Sequence, residues 1–137
     1  MAHCQDVTLH LDSLGNATLL PAALDNGSTD ACGIDTMSLS RSAFTCANLG
    51  VQSVTLIVSD ASGNSSTCAA TVTVNPSTMV ASAQAIVQSC GYHVTCTGAN
   101  DGSAFVTVTG GCSPYSYAWS NGATADSLSS LTAGVYT

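Results

Sequence analysis

The chain has 137 residues and a formal net charge of −7, carried by eight aspartates against a single arginine, Arg41, with no glutamate and no lysine. That balance excludes simple electrostatic attraction to nucleic acid or to anionic lipid. Glu and Lys are the usual residues of solvated helix faces, so their absence leaves Thr, Ser, Val, Ala, Gly and Asn, the composition of strands and tight turns. In chain order, Met1, Ala2 and His3 lead into Cys4 without a basic or apolar leader. Val7, Leu9 and Leu11 alternate with Thr8 and His10, which predicts a half-buried strand, and Asn16 to Leu20 predicts a second. Pro21 to Gly33 is loop chemistry, with Asp25-Asn26-Gly27-Ser28 at its centre. Short and long strands follow at Met37–Arg41 and Val51–Ser59, a hairpin-length turn at Asp60–Asn64, and a closing strand at Cys68–Val74.

Asn75-Pro76-Ser77-Thr78 reads as a boundary, because Pro76 cannot donate to a central ladder. A second series of strands is predicted at Ala83–Gln88, Ser103–Thr109, Tyr115–Trp119, Ser127–Leu131 and from Val135 onward. Asn121-Gly122 between them is a hairpin signal. The expected fold class is therefore all-β, with a first module over 1–75, a linker over 76–82 and a second module over 83–137. No stretch approaches the roughly 18 apolar residues of a membrane span.

Two stretches carry a family resemblance. Cys4-Gln5-Asp6-Val7, Asp25 to Gly33 and Val58-Ser59-Asp60-Ala61-Ser62-Gly63-Asn64 through Thr67-Cys68, followed by Thr71-Val72-Thr73-Val74, resemble the hyalin-repeat (HYR-like) domain. Cys96-Thr97-Gly98-Ala99-Asn100-Asp101-Gly102, then Gly110-Gly111-Cys112-Ser113-Pro114-Tyr115, Trp119-Ser120-Asn121-Gly122 and Leu131 to Thr137, resemble the SprB-type repeat of gliding-motility surface adhesins of Bacteroidota. The first resemblance implies an immunoglobulin-like sandwich, and together they imply two tandem disulfide-stapled modules. They further imply a piece of a giant extracellular repeat protein at a bacterial surface, exported by the type IX system. The usual Thr/Val-rich strand and cysteine-bearing ending of the second repeat are absent, so that module is expected to be cut short.

The seven cysteines suggest an oxidising compartment and staples for small modules. The pairs expected are Cys4–Cys68, joining the first and last strands of module one, Cys32–Cys46 across its middle, and Cys90–Cys112 in module two. Cys96 is then left without a partner in this piece, and is expected to be bridged in the intact repeat. Metal binding by these cysteines is disfavoured by the lack of any C-x-x-C pair.

Catalysis finds no support. His3, His10 and His93 sit in no nucleophile or metal motif, so no enzyme activity and no obligatory cofactor are expected. Asp25, Asp30, Asp60, Asn64 and Asp101 are candidate Ca²⁺ ligands, with Asx-turns as the competing role. Tyr115, Tyr117 and Trp119 fall on one face, as core or as a sugar platform. Asp12-Ser13-Leu14, Asp35-Thr36-Met37 and Asp126-Ser127-Leu128 resemble the O-glycosylation site of exported Bacteroidota proteins, which nominates Ser13, Thr36 and Ser127. The function expected is a stalk or adhesive fibre whose partners are neighbouring repeats of the same polypeptide. The alternatives are a filament subunit completed by strands from other copies of itself and a glycan- or calcium-binding module.

Overall fold

The computed structural model describes residues 1–86 and 99–137. Two compact units result. Unit 1 is Met1–Thr78 together with Gly110–Cys112, and unit 2 is Met79–Thr109 together with Ser113–Thr137.

Unit 1 is built on a long hairpin. β5 (Gly50–Ser59) and β6 (Ser65–Asn75) pair antiparallel over their length, Gly50 opposite Val74 and Ser59 opposite Ser65. Strict alternation drives it: Val54, Leu56 and Val58 on β5 and Ala70, Val72 and Val74 on β6 are buried, while the Thr residues between them take the other face. β3 (Thr36–Leu39) adds antiparallel to β5. β1 (Val7–His10) adds parallel to β6, with Val7 opposite Val72. The sheet order is β1-β6-β5-β3. A parallel pair needs a crossover, and the whole body of the unit supplies it, since β1 and β6 are its first and last strands.

Unit 1 also holds a separate two-stranded antiparallel ribbon of β2 (Asn16–Thr18) and β4 (Ala43–Thr45). It delivers Phe44, 1% exposed, into a core shared with Leu11, Leu19, Leu24, Leu56 and Val72. The stretch read as loop from Pro21 contains one helical turn, α1 (Pro21–Leu24), with Pro21 in its first turn and Leu24 fully buried. Pro is pre-set for that position because the N–H it lacks has no helical partner there. β4 has no counterpart among the expected strands.

Unit 2 is a three-stranded antiparallel sheet in the order β7-β8-β9: β7 (Val80–Ala85), β8 (Gly102–Thr109) and β9 (Ser127–Leu131). β7 begins at Val80, inside the 76–82 stretch read as linker. The core is small: Ala104, Trp119, Leu128 and Leu131, with Val106, Ala123 and Tyr136 against it. The strand expected at Tyr115–Trp119 does not form. The aromatic segment joins no ladder and contributes Trp119 to the core instead. The Asn121-Gly122 signal does make a tight turn, in which Trp119 N–H donates to Ala123 O at 2.9 Å and Gly122 N–H to Trp119 O at 2.9 Å. The strand expected from Val135 is also absent. Thr137 is tied to Ser120 instead, through Ser120 N–H to Thr137 O at 2.6 Å and Thr137 N–H to Ser120 Oγ at 3.1 Å.

Among the described residues two disulfides are formed. Cys4 bonds Cys68, and Cys46 bonds Cys112 with Cα atoms 5.7 Å apart. All four cysteines pack against the unit 1 core. The second bond corrects two expected pairs, Cys32–Cys46 and Cys90–Cys112. Its cause lies in residues 110–112, which return to unit 1: Gly111 N–H donates to Ser77 Oγ at 3.0 Å. Gly110 has φ 72°, and a Cβ there would sit 2.1 Å from Thr78 O, so only glycine lets the chain pass. Gly15 plays a similar part on the other side, since a Cβ would lie 2.8 Å from Cys46 Sγ. Cys32 is an exposed free thiol, and Cys90 and Cys96 lie outside the described residues. Among the described residues no helix is long and apolar enough to cross a membrane.

Candidate functional site

The candidate side chains are mostly aspartates on turns, and each is placed by a local backbone need. In the β5–β6 turn, Asp60 Oδ1 accepts from Ser62 N–H at 2.9 Å and Asn64 N–H at 2.8 Å, while Oδ2 accepts from Asn64 Nδ2 at 2.8 Å. Asp60 is 9% exposed. The Asn64 amide, followed by the backbone N–H groups of Asn64, Ser62 and Gly63, holds its carboxyl below the usual carboxylate range against the opposing effect of burial. Asp25 Oδ1 accepts from Ser28 N–H at 3.0 Å. Ser28, through its hydroxyl and then its N–H, depresses the Asp25 carboxyl, with smaller help from Gly27 N–H and the His3 imidazole. Asp30 Oδ1 accepts from Cys32 N–H at 2.8 Å.

Asp30, Asp60 and Asn64 are brought together. They line a cleft of about 70 Å³ with Ile34, Val58, Ser59 and Ser66. Asp25 lies on the loop behind α1, and Asp101 precedes β8 in unit 2. A carboxylate whose lone pairs already receive two or three N–H donors has little left to offer a cation, and Asp60 is in that condition. Among the described residues no three His, Cys, Asp or Glu side chains are grouped to hold a metal ion.

Trp119 is 8% exposed, and its Nε1–H donates to Ala125 O at 2.8 Å. It is a core residue with its one polar atom satisfied. Tyr115 and Tyr117 are half-buried, so three open rings for a sugar are not presented. Ser13, Thr36 and Ser127 are all exposed, which any modified hydroxyl requires. Ser13 lies in the Asp12 turn, where Asp12 Oδ1 accepts from Leu14 N–H at 2.9 Å. Thr36 opens β3, and Ser127 opens β9 with its hydroxyl on Asp126 Oδ1 at 3.0 Å.

One feature had no sequence signal. In unit 2 an apolar cleft of about 210 Å³ forms between Ala85, Gly102, Leu131 and Tyr136. It is made by residues far apart in the chain and partly by glycine backbone, and neither leaves a motif.

No curated protein and no solved structure matches the chain. The SprB repeat is a family of structural repeats found in cell-surface proteins, not a family of enzymes. Its family model matches residues 93–124, a stretch whose described part holds all of β8, Cys112 of the Cys46–Cys112 bridge and the Trp119 turn.

Proposed function

We propose that the chain is a non-enzymatic structural or adhesive segment of a giant secreted bacterial surface protein, in which unit 2 is an SprB-type repeat and unit 1 an HYR-like module. The observation that carries this is the match at residues 93–124 to a repeat of cell-surface proteins. Two disulfides and a β-rich chain accord with an oxidising, extracellular setting. The strand order supports the immunoglobulin-like reading of unit 1. In such sandwiches strands C, F and G share one sheet and B and E lie in the other. β3, β5 and β6 occupy the first set of positions, and β2 and β4 the second. The disulfide departs from the usual B–F placement, since Cys4 precedes β1 and Cys68 lies on β6. Export by the type IX system is part of the proposal.

The role is mechanical: staples and short connections keep a repeat array stiff, so that it holds whatever it carries away from the cell. The test is accessibility on the producing cell. Antibodies to the chain are expected to label intact cells, and external protease to remove the label. Labelling that needs lysis would overturn the reading. Exposed Ser13, Thr36 and Ser127 are proposed to carry O-linked sugar in natively secreted material. Intact-mass and peptide mapping are expected to find sugar there, and unmodified hydroxyls at all three positions in normally secreted protein would reject it.

A further inference from the structure

β7 is an edge strand of unit 2, and every residue from Val80 to Ala85 is exposed. Ile86 N–H donates to Ser103 O at 2.9 Å. Residues of an antiparallel strand alternate in which side their backbone groups face. In this register Val80, Ser82 and Gln84 therefore turn their N–H and C=O groups toward β8, and Ala81, Ala83 and Ala85 turn theirs outward. Among the described residues nothing pairs with that outer edge.

An open edge is a template for another strand, and proteins blunt edges with charges, prolines or bulges. The edges of the four-stranded sheet and the other edge of the unit 2 sheet carry such devices. β1 runs between Asp6 and Asp12, and β3 between Asp35 and Arg41. β9 starts beside Asp126, its pairing to β8 shifts register at Gly102/Ala104, and Ser130 takes φ 56°. From Ser77 to Ile86 there is no charge and no proline. In a chain of net charge −7, this edge itself brings no charge to a second acidic molecule.

We propose that β7 pairs antiparallel with β7 of a second copy of this chain, with Ala83 on the twofold axis. This register is the one that engages all three outward residues of β7. Outward residues must meet outward residues, and with Ala83 opposite Ala83 the remaining pairs are Ala81 with Ala85 and Ala85 with Ala81. The same register sets Val80, 57% exposed, opposite Ile86, 45% exposed, at both ends of the contact. Cross-strand apolar pairs of this kind stabilise a ladder. The interface is isologous and closes at two. A single strand pair is small, so the dimer is concentration-dependent and falls below the standard interface size of about 1,200–2,000 Å². The proposal stands independently of the surface-protein reading.

The test is sedimentation of the 137-residue chain over a wide concentration range, with two substitutions. The mass is expected to rise from that of the 13.6 kDa monomer to twice that value and to stop there. Ala83→Pro removes an outward N–H without touching the β8 ladder and is expected to abolish the rise while the near-UV spectrum is kept. Ala83→Cys is expected to give an oxidised 83–83 cross-linked peptide, because hydrogen-bonded antiparallel partners lie about 5.5 Å apart at Cα, within disulfide range. Ala85→Cys is expected to give no 85–85 peptide. A chain that stays monomeric, growth beyond two, a dimer unaffected by Ala83→Pro, or equal cross-linking from position 85 overturns the proposal.

Discussion

Asp60 shows how one turn residue ties local chemistry to stability. Its carboxylate accepts three hydrogen bonds from within its own turn, and all three favour the ionised form. The folded-state pKa is therefore below the ordinary value of 3.8. A depressed carboxylate contributes stability that is complete above the unfolded-state value and is lost as pH falls through the folded-state one. Unit 1 is expected to melt at progressively lower temperature below about pH 4. Asp60→Asn is expected to lower the melting temperature at neutral pH, because its NH₂ faces the Asn64 NH₂, and to flatten the acid limb. An unchanged acid limb in calorimetry would show that other carboxylates carry it. The turn was legible in the sequence, since Asp-x-x-Gly-Asn is turn chemistry wherever it occurs. The Asx-turn role weighed against a Ca²⁺ role is the one Asp60 takes; what was not legible is the third donor, the Asn64 amide, which leaves its carboxylate little to offer a cation.

At the scale of elements, long alternation was readable and short elements were not. β5, β6 and β8 follow directly from every-other-residue Val, Leu and Ala. β4 has three residues, Ala43-Phe44-Thr45, too few for a period to register. Yet Phe44 is the largest fully buried side chain of unit 1. Phe44→Ala is expected to cost about 3–5 kcal/mol, measured by urea unfolding, and a cost below about 1 kcal/mol would mean that the β2–β4 ribbon does not close this core. Tyr115 to Trp119 failed the other way: the alternation is real, since Tyr115, Tyr117 and Trp119 are half-buried or buried, but the segment joins no ladder. Periodicity reports which side chains are buried. It does not report whether those residues join a ladder.

For the whole molecule, the consequential feature is where the chain returns. It leaves unit 1 after Thr78, comes back for Gly110–Cys112, and leaves again. A boundary drawn from linker composition at Asn75 cannot show a return of three residues, so Cys4–Cys68 was expected correctly while Cys32–Cys46 and Cys90–Cys112 were not. Cys46–Cys112 closes 66 residues of sequence separation, so its loss is expected to cost about 2–5 kcal/mol. Cys112→Ser in a thermal melt should show a clear fall, whereas an unchanged melting temperature would argue that the bond contributes nothing. Gly110→Ala is expected to weaken the same junction, because the new methyl group meets Thr78 O.

The most direct test is non-reducing peptide mapping of the alkylated native protein. Two cross-linked peptides, Cys4 with Cys68 and Cys46 with Cys112, together with an alkylated Cys32, are predicted. Recovery of Cys32 with Cys46, or of Cys90 with Cys112, would contradict the return of the chain to unit 1 and the stapled architecture built on it.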